Sequence, residues 1–140
     1  MLNIYPIGII YSPYKKIEDC PHNGWISKNV CNIKIKKIYT DGIIGMNVND
    51  IIHVLWWFDK APRNILKNKL EGNIYETGVF AMRSPHRPNP IALSLCKVMD
   101  IKNDTISVKG LEAINGSIVL DIKKAIYYKE VILHHFTTFP

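Results

Sequence analysis

Pro85, Pro88 and Pro90 fall within six residues and are interleaved with Arg83, Arg87 and Asn89. Each proline fixes φ, removes an amide donor and pushes the preceding residue out of the helical region. The segment is therefore a shaped loop that displays guanidinium and amide groups from a stiff backbone, which lowers the entropy lost when a polar or anionic ligand binds. A rigid corner between strands with solvated arginines satisfies the same residues, and on composition alone the two readings carry equal weight.

The other groups able to do chemistry are scattered. His22, His86, Asp59 and Asp121 could each accept a proton, and no spacing singles one out. Asp121 reads equally well as a residue that holds the turn beside Asn115-Gly116. His53 lies among Ile, Val and Trp, where a histidine usually packs as a strand residue. Cys20, Cys31 and Cys96 are odd in number, with no Cys-x-x-Cys pair and no histidine at zinc-ligand spacing, so neither a disulfide framework nor a metal site is expected. Lys34, Lys36 and Lys37 form the densest basic cluster and could meet RNA phosphates, with Trp25 or Tyr128 stacking on an unpaired base. A solvated strand face that protects a sheet edge is the commoner role of such lysines.

These groups need a scaffold, and the pattern predicts strands. Short apolar runs rich in Ile, Val and Tyr alternate with Asn, Asp, Gly and Pro. Ile4 to Tyr11 is a first strand, and Lys15 to Lys28 an irregular loop. Ile33 and Ile35 alternate with lysines as a half-exposed strand, and Asp41-Gly42 is a turn. Ile51 to Phe58 is apolar on both faces, as in a central strand or one at a subunit interface. Ile65 to Leu70 reads as either a helical turn or a loop. Gly78 to Met82, Ile91 to Ile101, Thr105 to Lys109 and Ile118 to Ile122 complete the strands, with turns at Asn103-Asp104 and Asn115-Gly116. No repeat or linker interrupts them, so the expectation is a mainly β, single-domain barrel with short helical or irregular insertions. The domain is expected over residues 1–140, with a core at 4–126 and a tail, 127–140, that shows no period.

At 140 residues the chain suits one core. Its formal charge of +6 favours a polyanionic partner, although many lysines neighbour Ile or Asn as an AT-rich coding bias would produce. The amino terminus has no leader pattern, and no apolar run approaches the ~20 residues of a membrane helix. A cytoplasmic protein without membrane contact is expected.

Residues 78–94, Gly-Val-Phe-Ala-Met-Arg-Ser-Pro-His-Arg-Pro-Asn-Pro-Ile-Ala-Leu-Ser, resemble the signature of the TrmO/TsaA-like family, usually written GVFATRSPxRPNPIGLS. Ile7-Gly8-Ile9-Ile10-Tyr11-Ser12-Pro13-Tyr14 is similar to the family's opening I-G-x-I-x-S-P-Y, and Val119-Leu120-Asp121-Ile122-Lys123 to its P-V-L-D-I-K. The resemblance implies a β-barrel methyltransferase, usually a homodimer, that uses S-adenosylmethionine without a Rossmann sheet. Consistently, no Gly-x-Gly-x-x-Gly follows a strand. The family's best-known activity is methylation of N6 of threonylcarbamoyladenosine at tRNA position 37, which would make threonine tRNA the partner.

Carried over by position, the resemblance implies cofactor contacts at Arg83 and Leu93, at Pro21, His22 and Asn23, at Asp59 and Lys60, and at Ile114, Asn115, Gly116 and Ser117. Asn23 and backbone amides are expected on the methionine carboxylate or adenine edge, and Asp59 on the ribose hydroxyls or the ammonium. No catalytic side chain is implied. His22 and Asn23 replace the family's Arg and Gln, Asn115 its Asp, and Ile118 its Pro. A histidine mostly neutral at pH 7 in place of a planar cation weakens any anion contact there. Longer members add a carboxy-terminal domain that helps engage tRNA, and none is expected here after the barrel motifs. Two other functions stay open: methylation of another, possibly small-molecule, nucleophile, and a non-catalytic cofactor- or RNA-binding module.

Overall fold

The computed structural model describes residues 1–126, except the side chain of Trp25. Six antiparallel strands close into a barrel: β1 (Gly8–Tyr11), β2 (Val30–Ile35), β3 (Ile51–Trp57), β6 (Ile91–Lys102), β7 (Thr105–Lys109) and β8 (Ile118–Lys124), in the order β1-β2-β7-β6-β3-β8. Two short strands between β3 and β6, β4 (Lys67–Lys69) and β5 (Glu76–Gly78), form a separate hairpin.

The two-residue side-chain period of a strand produces the barrel core. Cys31, Ile33 and Ile35 of β2 point inward, as do Ile52, Val54 and Trp56 of β3, Ala92, Ser94, Cys96 and Val98 of β6, and Ile106 and Val108 of β7. β6 is long because it bends across two partners, pairing with β3 from Ile91 to Lys97 and with β7 from Lys97 to Lys102. Register shifts at Leu55/Trp56 and Val98/Asp100 mark irregularities that increase local twist. No described helix is long and apolar enough to cross a membrane.

Several elements differ from the sequence reading. The first strand begins only at Gly8, although Ile7 still donates to the Val119 carbonyl at 2.8 Å. Asp41-Gly42 lies inside a seven-residue 3-10 segment, Lys37–Ile43. The ambiguous stretch at Ile65 to Leu70 contains β4, whose Lys67 pairs with Gly78. Gly78 to Met82 is not a strand: Gly78 ends β5 and Val79–Ala81 is a 3-10 turn. Arg87, a few residues further on, gathers the Val79 and Met82 carbonyls at 2.5 and 2.7 Å and holds the segment curled. The doubly apolar strand is central, between β6 and β8, but its outer face is only half-buried.

Candidate functional site

A cleft of about 890 Å³ opens at one end of the barrel and runs onto the outer face of β3 and β6. From the inner face it receives Trp56, Ala92 and Ser94, and from the outer face His53, Trp57, Leu93 and Leu95. The alternation of one strand pair thus supplies both a buried floor and a half-exposed wall.

The Pro-rich loop forms one side of this cleft and is held by its own polar groups. Arg87 donates to the Ser84 carbonyl at 2.9 Å as well as to Val79 and Met82. Arg63 reaches across from the segment after β3, donating to the Pro88 carbonyl at 2.7 Å and to Asn89 Oδ1 at 3.1 Å, while its guanidinium lies 5.4 Å from the Trp57 ring centroid. Arg87 and Asn89, read from sequence as displayed to a ligand, are instead engaged in fixing the loop. Arg83 and Arg87 both line the cleft, and Arg83, which takes no part in fastening the loop's carbonyls, is anchored by a donation to the Leu93 carbonyl. That bond uses one of the guanidinium's five N–H donors.

Facing Arg83 is a carboxylate that sequence reading missed. Glu112, half-buried in the cleft wall just after β7, accepts from the Ser94 hydroxyl and from the backbone amide of Gly24. The Ser94 oxygen itself receives the Trp56 indole N–H at 2.9 Å, so its own proton is directed to Glu112. Burial pushes the Glu112 carboxyl above the ordinary glutamate range, opposed by the Ser94 bond, the backbone amides and the Arg83 charge. The approach is close enough to demand glycine: a Cβ on Gly24 would stand 1.8 Å from the Gly110 oxygen and 2.6 Å from Glu112 Oε2. No local pattern marked Glu112, because its partners lie on three other segments.

Of the residues implied by the resemblance, Pro21, His22, Asn23, Asp59, Lys60, Arg83, Leu93, Ile114 and Ser117 all line this one cleft. His22, Asp59 and Lys60 are exposed at its rim. Asn115 and Gly116 do not line it. They build the adjoining turn: Asn115 Oδ1 accepts from the Ser12 amide at 3.0 Å, and Gly116 takes φ +89°, a left-handed conformation that favours glycine. Among the candidate bases, His86 is half-buried in the cleft. Asp121 lies toward the opposite end of the barrel, where it pairs with Lys123 at 3.1 Å and caps the Ile122 amide, and so holds no turn at Asn115-Gly116. His53 is half-buried as expected, yet lines the cleft. Tyr128 falls outside the described residues.

The lining suits an amphipathic ligand that carries both charges. Trp56, Trp57 and Phe58 offer aromatic surface, and Glu112 and Arg83 stand as an anion and a cation at one place. A nucleoside joined to an amino acid has this distribution, and S-adenosylmethionine, of drug-like size, fits the range of pockets that bury such ligands.

Fold and cleft together define a small β-barrel protein with a nucleotide-cofactor-sized site. Residues 9–131 match the model of the family described as the tRNA-methyltransferase O N-terminal domain, and the chain belongs to that family. It is 42% identical over 120 residues to an S-adenosyl-L-methionine-binding protein of Archaeoglobus fulgidus, spanning 85% of this chain and 86% of the relative. A probable S-adenosyl-L-methionine-binding protein of Methanothermobacter thermautotrophicus is 36% identical, over 93% of each chain. A rat tRNA (adenine(37)-N6)-methyltransferase is 33% identical over 84% of this chain, which spans only 29% of that enzyme. The fold matches the crystal structure of TrmO from Pseudomonas aeruginosa with a TM-score of 0.75 at 21% identity, covering all of this chain and 61% of that one.

Proposed function

We propose that the protein is an S-adenosylmethionine-dependent methyltransferase acting on N6 of threonylcarbamoyladenosine at tRNA position 37. The observation that carries this reading is the convergence of the Arg83–Ser94 signature segment with Pro21–Asn23, Asp59-Lys60 and Ile114/Ser117 on a single cleft. Arg83 and Asn23 would hold the polar groups of the cofactor, Leu93 and Trp57 its apolar surface, and Asn115-Gly116 would keep the Ile114–Ser117 turn in register. When bound, the cofactor supplies an electrophilic methyl group on a sulfonium.

The chain's own task is to bring the acceptor nitrogen to near-attack distance and keep water out. The Pro-rich loop, braced by Arg87 and Arg63, provides a wall that needs little ordering on binding. Trp56, Trp57 and Phe58 supply the water-excluding side. The carbamoyl group acidifies the acceptor N–H, so a modest base suffices, and His86, half-buried and one of the three histidines that line the cleft, would take that proton. The half-buried outer face of β3 suits contact with a second copy of the chain or with the tRNA.

The test is methyl transfer to bulk tRNA from a strain lacking the gene, followed by nucleoside mass spectrometry. Methylated threonylcarbamoyladenosine is the expected product. Label found only in small molecules would overturn the tRNA assignment, and cofactor binding with no turnover would overturn the assignment as an enzyme.

A further inference from the structure

We propose that Glu112 is the anchor for the cofactor's α-ammonium group, forming with Arg83 a zwitterion clamp for the methionine end of S-adenosylmethionine. This rests on the cofactor reading above and is independent of which nucleophile receives the methyl group.

An amino-acid group needs an anion and a cation side by side; here the cation, Arg83, is exposed at the mouth and the anion is set deeper. Glu112 is the carboxylate set into the cleft wall, whereas Asp59, the acidic residue expected from sequence to meet the ribose or the ammonium, is exposed at the rim. The Glu112 carboxylate is aimed by three neighbouring segments. Ser94 on β6 donates its hydroxyl and is itself fixed by Trp56 on β3, while Gly24 donates its amide from the loop after β1. With two oxygens and about four lone-pair sites, the carboxylate accepts these donors and retains capacity for an N⁺–H donor from a ligand. The Gly24–Gly110–Glu112 approach leaves no room for a side chain between backbone and carboxylate.

The charged and titratable groups facing Glu112 are Arg83 from the Pro-rich loop, Cys20 from the loop after β1, Cys31 from β2 and Cys96 from β6. Burial raises all three thiols, so they are neutral where Glu112 titrates and Arg83 is the one permanent charge among them. Burial also raises the Glu112 carboxyl, so an ammonium bound there must drive a proton off it wherever the free protein still holds that carboxyl protonated. The same desolvation makes the ionised carboxylate a burden on the folded state at neutral pH. The sign follows from linkage: a raised carboxyl favours the fold at low pH, and that advantage is lost as pH rises through the folded value.

The experiment is calorimetric titration of the wild type and E112Q with S-adenosylmethionine, S-adenosylhomocysteine and methylthioadenosine, which lacks the amino-acid group. E112Q keeps the volume and can still accept from Gly24, and at neutral pH it should be no less stable than wild type. It is expected to bind the two amino-acid ligands about 10- to 100-fold more weakly while its affinity for methylthioadenosine is unchanged. An equal loss for all three ligands, or no loss, would overturn the clamp. Should E112Q fail to fold, the wild type decides alone: in a pH series from acidic to neutral, run at each pH in two buffers of different ionisation enthalpy, S-adenosylmethionine must release a proton that methylthioadenosine does not, and the lack of this difference at every pH sinks the proposal. Failure of the wild type to bind S-adenosylmethionine at all overturns the cofactor reading and the clamp with it, whereas binding that ignores Glu112 overturns the clamp alone.

Discussion

At one end of the barrel the chain leaves β3 for the hairpin and the Pro-rich loop, and there His22, His53, His86, Arg83 and Glu112 share the wall of the 890 Å³ cleft. At the other end β2 runs into the Lys37–Ile43 segment, and a smaller pocket of about 590 Å³ is lined by Ile7, Ile35, Ile38, Ile43, Ile44 and Ile122 among others. The same strands feed both ends. At the cleft, polar side chains are held by other polar groups: Trp56 to Ser94, Ser94 to Glu112, Arg83 to Leu93, Arg63 to Pro88. At the far end Ile38 and Ile44 are exposed and Asp41, Asp50, Asp121 and Lys124 sit around an aliphatic pocket, with Lys124 3.6 Å from Asp50 at the surface. The lesson is that a barrel makes two similar openings, and an ordered hydrogen-bond network distinguishes a site from a gap in packing.

This contrast can be broken by substitution. The largest effect is expected at Gly24: any Cβ collides with the Gly110 carbonyl, so Gly24→Val should cost about 3 kcal/mol in denaturant unfolding and abolish cofactor binding. A variant as stable as wild type would mean that the two loops are not pressed together. Next, Arg83→Ala should weaken S-adenosylmethionine binding by about tenfold or more, read by calorimetry. Lys36→Ala, which removes one charge toward the far end, should leave that affinity as it was, and equal losses would reduce the effect of Arg83 to net charge.

Ser94→Ala strands the buried Trp56 indole N–H and removes a donor from Glu112. It should destabilise the fold by about 1–3 kcal/mol, and less if the indole finds another acceptor. Thiol reactivity should also grade along the structure. Burial raises Cys31 to about 11 and raises Cys96 further, while Cys20 is partly exposed. With an aromatic disulfide reagent at neutral pH, Cys20 should react first and Cys96 only at the rate of unfolding. The smallest effect is expected from Ile44→Ser at the apolar end, within about 0.5 kcal/mol in stability and with unchanged cofactor affinity. A marked loss of affinity there would erase the difference between the two openings.

Much of this was legible in the chain. The alternation at Ile33 and Ile35, the long run from Ile91, the clean period of Thr105 to Lys109 and the Asn115-Gly116 turn all report local geometry, and the structure contains each of them. The conformation of Gly78 to Met82 was not legible, because Arg87 holds it from several residues away. The strand character of Lys67–Lys69 depends on pairing with Glu76–Gly78 across an intervening loop. Most residues implied by the family motif line one cleft, although Asn115 and Gly116 support it from outside. Asp121, a motif residue and candidate base, is directed by strand register to the far end.

Sequence alone determined the β class, the stiffness of the loop at Pro85, Pro88 and Pro90 and the family likeness, since these follow from side-chain period, proline stereochemistry and a continuous motif. Only the tertiary structure decided which polar groups meet. Glu112 has no distinguishing neighbours in the chain, and its environment is created by Gly24, Ser94 and Arg83 arriving from a loop, a strand and the proline-rich segment. The loop's role is likewise divided by the fold: Arg87 and Asn89 fasten it, and Arg83 faces the cleft. Hydrogen bonds and desolvation act over a few ångströms of space rather than along the chain, and barrel closure brings those groups within that range.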